Sequence, residues 1–185
     1  MIDYATSTPL SGGDGEPGRW YALYTRARHE KRVDERLRER GVEAYLPLVL
    51  RSRRWHDRKK VVPWPLFPSY VFARFRSEVR YGVLQTPGVT SVVSLNGEAV
   101  PIPDDEIENV RRFEAALNEN RLEPEPAAFV ERGEPVRVVS EPFRGVEGVV
   151  LERRGRWRAL VQVGVRAIGQ GLKVELDVRS LKSTA

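Results

Sequence analysis

The arrangement of apolar and polar positions changes character near residue 123. Before residue 19 there is little pattern: 1–18 is rich in Gly, Ser, Pro and Thr and reads as a disordered tail. Structure is expected to begin with Trp20-Tyr21-Ala22-Leu23-Tyr24, which has strand composition. Residues 28–40 follow as a charged helix with a thin apolar stripe, Val33 and Leu37 at i, i+4, and Gly41 at a natural C′ position. Residues 43–50 are strand-like. A basic loop, 51–60, comes next, and the prolines at 63, 65 and 68 exclude a helix or a central strand. In 70–75, Val71, Ala73 and Phe75 alternate with Tyr70, Phe72 and Arg74. A short helix over 78–84 leads through Thr86-Pro87-Gly88 into a strand at 89–95. Asn96-Gly97 signals a hairpin before a further strand at 99–102. Pro103-Asp104-Asp105-Glu106 opens a last helix, its acids matching the helix dipole, with Ile107, Val110, Phe113 and Leu117 as its stripe. That order predicts an α+β domain, a mostly antiparallel sheet with packed helices, over 19–122.

Glu123-Pro124-Glu125-Pro126-Ala127-Ala128 reads as a stiff, extended linker, 123–130. Beyond it, 131–185 carries short Val-rich stretches at 136–138, 146–151, 158–165 and 174–178, punctuated by glycines. Short strands and Gly turns predict a small β-barrel. The alternation of Ala159, Val161, Val163 and Val165 favours strand over helix there.

Charge sharpens this picture. The chain has a net charge of +5, and 51–60 alone holds six Arg or Lys against one Asp, which is also +5. The positive field is therefore focused on one segment and points to a polyanionic partner. Trp55 among those cations is suited to stacking on an unpaired base. The plainer reading is a solvated hairpin tip. Likewise Arg26, Arg28, Lys31, Arg32, Arg36, Arg38 and Arg40, interleaved with Glu30, Asp34, Glu35 and Glu39, are either a salt-bridged solvent face or, near Arg26 and Arg32, a contact with DNA. Tyr70 and Phe72 share a strand face, and with Trp20, Tyr21 and Phe67 they are either core or an exposed docking patch.

Other chemistry has little support. There is no cysteine, and the two histidines, His29 and His56, both lie in Arg-rich stretches without metal-ligand spacing. No Gly-rich phosphate loop is present. No secretory signal pattern or membrane-length apolar run occurs. The expectation is a monomeric cytoplasmic protein that is not an enzyme, needs no metal or cofactor and has no membrane partner.

Several motifs, in order, resemble the NusG family. Trp20-Tyr21-x-x-Tyr24, Leu66-Phe67-Pro68-Ser69-Tyr70-Val71-Phe72, Thr86-Pro87-Gly88-Val89 and Pro101-Ile102-Pro103-Asp104-Asp105-Glu106-Ile107 look like its N-terminal (NGN) domain. Gly133-Glu134-Pro135-Val136-Arg137-Val138 and Gly145-Val146-Glu147-Gly148-Val149-Val150 look like a KOW motif, with Val174-Glu175-Leu176-Asp177 as the closing strand. The resemblance implies an NGN-like antiparallel sheet with helices plus a small SH3-like KOW barrel. It implies a transcription elongation and antitermination factor that binds RNA polymerase across its cleft. Trp20, Tyr21, Phe67, Tyr70 and Phe72 would meet the β′ clamp helices, and Arg80 and Tyr81 the β gate loop. Arg26, Arg28, His29, Arg32, Arg36, Arg53, Arg54, Trp55, Arg58, Lys59 and Lys60 would contact the non-template strand or upstream duplex DNA. Phe143, Arg144, Val146 and Ile168 would form the KOW surface for a ribosomal protein, Rho or RNA. Val146 and Ala167-Ile168-Gly169-Gln170 depart from the family's usual residues on that surface. The stretch 55–68 is closer to specialised RfaH- or UpxY-like antiterminators than to the housekeeping factor. An RNA-binding, ribosome-associated KOW protein is the reading from another class.

Overall fold

The computed structural model describes residues 18–55, 58–131 and 133–184, with backbone alone at 54, 55, 58 and 59. The disordered-tail reading of 1–17, and His56, Asp57, Arg132 and Ala185, lie outside the described residues. The chain divides into two compact units, 18–46 with Phe67–Pro103 and Pro47–Leu66 with 104–184.

In the first unit, β1 (Arg19–Thr25) lies beside β5 (Tyr70–Phe75), which in turn pairs with β2 (Glu43–Tyr45). On its other side β1 pairs with β6 (Val89–Val92) and β9 (Pro101–Ile102), giving an antiparallel five-stranded sheet. α1 (Glu30–Glu39) buries Val33 and Leu37 as its stripe predicts. It stops as the sequence requires: Gly41 has φ 76°, Gly41 N–H donates to Arg38 O and Val42 N–H to Leu37 O, a Schellman pair. A 3₁₀ turn, Ser77–Val79, runs into α2 (Arg80–Leu84). The Arg40 guanidinium ties the end of α1 to Gly82 O and Thr86 Oγ1, both at 2.9 Å. Asn96 and Gly97, both with positive φ, turn β7 (Ser94–Leu95) into β8 (Glu98–Ala99).

In the second unit, the segment read as a loop at 51–60 is the middle of a long hairpin. β3 (Leu48–Trp55) pairs in register with β4 (Arg58–Pro65). Pro63 and Pro65 are tolerated because the hairpin is a two-stranded sheet of its own, where a missing N–H faces no further strand. α3 (Asp104–Asn120) buries Ile107, Val110, Phe113, Ala116 and Leu117, the expected stripe with one addition. The segment read as a linker is an edge strand, β10 (Glu125–Ala128). It pairs with β14 (Gln170–Asp177) in a six-stranded antiparallel sheet. Its place at the edge is what lets Pro126 sit in a strand. The sheet runs β10, β14, β13 (Arg158–Val165), β12 (Glu147–Arg154), β11 (Glu134–Val138), β15 (Leu181–Ser183). Val136, Val150, Ala159 and Val161 form one buried cluster with Leu176, Val178 and Leu181 against it. Side chains from five strands meeting in one core are what a small barrel produces, so the strand reading of this region holds.

Two polar devices tie the second unit together. Gln162 is 2% exposed in the middle of β13. Its amide donates to Ala128 O at 2.5 Å and accepts from Val130 N at 2.9 Å, anchoring the edge strand. On α3, Asn118 donates to Leu48 O at 2.8 Å and accepts from Leu50 N at 2.9 Å, and Glu114 accepts from Leu48 N at 2.7 Å. Asn109 does the same to β12: it donates to Glu147 O at 2.8 Å and accepts from Glu147 N at 2.7 Å.

Gln162→Leu removes the half-buried hydrogen bonds to Ala128 O and Val130 N and is expected to cost about 1 kcal/mol in denaturant unfolding; an unchanged midpoint contradicts the anchoring role. Asn109→Ala is expected to raise hydrogen exchange at the Glu147 amide, at a cost of roughly 1 kcal/mol. Unaltered protection there means that the clasp does not form in solution.

Candidate interaction surfaces

The register of β1 against β5 places Trp20, Ala22 and Tyr24 opposite Arg74, Phe72 and Tyr70. Directly opposed residues share a sheet face, so Trp20, Phe72 and Tyr70 stand in one row with Tyr24. Tyr45, across from Phe72 on β2, extends it. Tyr21 is on the other face, tilted on Phe75 at 4.7 Å. It does not join the predicted cluster.

Burial decides between core and an open aromatic patch. Trp20 is 3% exposed, Phe67 1% and Phe72 0%. Phe67 meets Phe72 edge-on at 5.9 Å, and Tyr45 is tilted on Phe72 at 6.1 Å. These rings hold one another in a core. The row reaches solvent only at its end: Tyr24 is exposed and packs edge-on against half-buried Tyr70 at 5.4 Å. Burial, and then the nearby Tyr24, pushes the Tyr70 phenol above its ordinary pKa, so its O–H remains a donor.

The turn before Tyr70 is held by a residue that sequence reasoning left in a charged face. Glu30 is buried, and its Oε1 accepts from Ser69 N at 2.8 Å. Ser69 has φ 67°, and its carbonyl accepts from Thr25 N at 2.8 Å. A carboxylate acceptor thus stabilises a left-handed residue that brings Tyr70 beside Tyr24. The available signal was that Glu30 opens the helix beside the Val33 stripe.

Arg80 and Tyr81 begin α2; Arg80 is half-buried and Tyr81 is 75% exposed. Arg26, Arg28 and Arg32 are exposed around the start of α1, and half-buried His29 precedes it, its Nδ1 3.1 Å from Ala27 O. Arg36 is less available: its guanidinium donates to Pro87 O at 2.7 Å. Gly88, with φ +105°, leaves room where a Cβ would press on Val33 Cγ2 at 2.8 Å.

On the hairpin, Arg53 pairs with Lys60, Arg51 with Val62 and Val49 with Trp64, so these six residues share one face. The guanidinium carbons of Arg51 and Arg53 lie 5.9 and 4.9 Å from the Trp64 ring centre. Arg53 and Lys60 are exposed. The backbone pairs Arg54 with Lys59 and Trp55 with Arg58 at the hairpin end, but those four side chains lie outside the described residues. Trp64 was missed as a partner of this basic face because its flanking prolines concealed the strand.

The expected KOW surface is also corrected. Phe143 and Val146 are each 2% exposed, and Phe143 lies 5.5 Å from Phe113 of α3. On the same face of α3, Glu106 Oε1 accepts from Arg166 N at 2.6 Å. Burial pushes the Glu106 carboxyl up, against the lowering effect of that hydrogen bond. Only Arg144 is exposed and Ile168 half-exposed. Among the described residues no cluster of His, Cys, Asp or Glu is arranged to hold a metal ion, and no helix is long and apolar enough to cross a membrane.

Residues 18–111 match the family model described as "Transcription termination factor nusG". The protein named "Transcription termination/antitermination protein NusG" of Thermus thermophilus is 30% identical over 175 residues, covering 85% of this chain and 94% of its own. Its namesake in Deinococcus radiodurans is 30% identical over 181 residues, covering 85% and 95%. That of Pseudomonas aeruginosa is 30% identical over 175 residues, covering 86% and 94%. Among solved structures, Thermotoga maritima NusG aligns at 26% identity and a TM-score of 0.48, covering 90% of this chain and 97% of that one. With the NusG model matching 18–111 and relatives at 30% identity aligned along 85% of its length, the chain belongs to the NusG family.

Proposed function

We propose that this chain is a transcription elongation and antitermination factor that binds bacterial RNA polymerase across its cleft. It acts by differential affinity, favouring the elongating over the paused conformation. The observation that carries this reading is the aromatic row of the first sheet, which surfaces at Tyr24 and Tyr70. The names of the relatives agree with it.

In this reading the β′ clamp helices meet Tyr70, with Tyr24 beside it. Trp20, Phe67 and Phe72 shape that site from beneath, and Tyr21 supports the opposite face. Arg80 and Tyr81 meet the β gate loop. Arg26, Arg28, His29 and Arg32 of the first unit touch the non-template strand or upstream duplex; the hairpin face of Arg53 and Lys60 in the second unit is a nucleic-acid contact in its own right. The C-terminal barrel recruits a second partner, a ribosomal protein, Rho or RNA. A partner that takes Phe143 must first displace Phe113 of α3, whereas Arg144 and Ile168 are accessible. The finer assignment to a specialised antiterminator rests on the stretch 55–68.

Binding to a reconstituted bacterial elongation complex tests the reading. Tyr70→Ala with Tyr24→Ala is expected to weaken binding at least tenfold, as for an interface anchor, with the fold kept because both rings lie at the edge of the core. Wild-type affinity in that folded double variant sinks the assignment. Arg53→Glu with Lys60→Glu is expected to flatten the salt dependence by roughly 0.9 for each duplex phosphate no longer neutralised. An unchanged slope removes the hairpin from the nucleic-acid surface.

A further inference from the structure

We propose that the turn joining β12 to β13 is a binding site for single-stranded RNA, with Trp157 as its stacking platform. It is independent of polymerase binding. It lies at the other end of β12 and β13 from the loops that carry Phe143 and Ile168, and each strand is eight residues long.

Gly155, with φ 67°, turns the chain between the paired Arg154 and Arg158. Trp157 follows and is 51% exposed. The backbone there is fixed, since Val178 N donates to Trp157 O at 2.9 Å. Two guanidinium carbons lie over the indole, Arg156 at 5.0 Å and Arg179 at 5.3 Å from the ring centre. Arg179 is held by Asp177, which accepts from its backbone N at 2.8 Å, its Nε at 3.1 Å and its Nη2 at 2.7 Å. These bonds hold the Asp177 carboxyl down at about 2, so the support persists at any physiological pH.

The charges around the ring define the partner. Arg153 pairs with Glu134 at 2.6 Å, Arg154 with Glu152 and Glu175 at 3.4 Å, and Arg158 with Glu175 at 3.8 Å. Arg156 has no carboxylate partner among the described residues. Five arginines thus stand against Glu134, Glu152, Glu175 and Asp177, and the single excess charge sits beside the ring. A tip of this kind cannot follow a dense phosphate track such as a duplex. It suits an unpaired base that takes the place of Arg156 on the indole while that guanidinium turns to one phosphate. The flanking Glu152 and Glu175 repel further phosphates but accept hydrogen bonds from hydroxyls, which ribose offers at the 2′ position and deoxyribose lacks. A bare solubilising role for the arginines is the competing account.

The test is an NMR titration of the full chain with an eight-nucleotide oligouridylate, following the indole N–H of Trp157, with Trp157→Phe to assign it. The expected result is a saturable shift of that resonance. Trp157→Ala weakens the RNA affinity about tenfold, and Trp157→Phe retains most of it. Arg156→Ala lowers the salt slope by about 0.7, one single-strand phosphate. The proposal is overturned if the Trp157 resonance stays still while the oligonucleotide binds elsewhere, or if no binding is seen. It is equally overturned if folded Trp157→Ala binds as the wild type does, or if the matching deoxyoligonucleotide or a duplex shifts Trp157 as strongly.

Discussion

The second unit depends on α3 meeting the backbone hydrogen-bond needs of two strands that it does not belong to. N–H and C=O groups at a strand end need partners from outside their own ladder. α3 answers them with side chains that imitate a neighbouring strand: Asn118 and Glu114 toward Leu48 and Leu50, Asn109 toward Glu147. Helical spacing makes the two jobs compatible. Glu106, Asn109 and Phe113 fall at i, i+3 and i+7, so they share the face that meets the barrel. Glu114 and Asn118, at i and i+4, share the face that meets the hairpin. The same arrangement covers Phe143, so the helix that organises this unit also governs access to part of its surface.

The first unit has its own fixed point in the buried Glu30. By accepting from Ser69 N, that carboxylate stabilises a left-handed turn, and the turn sets the register in which Tyr70 opposes Tyr24. Position on the sheet then separates roles. Trp20, Phe67 and Phe72 supply rigidity, while the tyrosines at the row's end combine apolar area with a polar tip, the combination that favours protein interfaces.

Much of this was legible in the chain itself. Gly41 and Asn96-Gly97 stood at their turns because positive φ narrows the choice of residue. The stripe of α3 and the alternation in β5 and β13 fixed which residues share a face. What periodicity does not carry is the identity of whatever covers a face, and that is why Phe143 and Val146 were expected at a surface and are core, and why Phe67 and Phe72 stood open between core and patch until their burial decided it. Proline was over-read. It excludes central strands, yet β4 and β10 carry it in an isolated hairpin and at a sheet edge. The clasping Asn109, Asn118 and Gln162 left no trace in the pattern, because a polar residue on a helix or strand looks alike whether it faces water or a backbone.

In the proposed function, polymerase docks at the Tyr24–Tyr70 end of the aromatic row. Hydrogen exchange of the full chain, free and bound to a bacterial elongation complex, tests it directly. The expected result is new protection in β1, the Ser69 turn and β5, with a second protected segment at α2. Protection confined to the C-terminal sheet, with 19–25 and 67–75 unchanged on the complex, would contradict it.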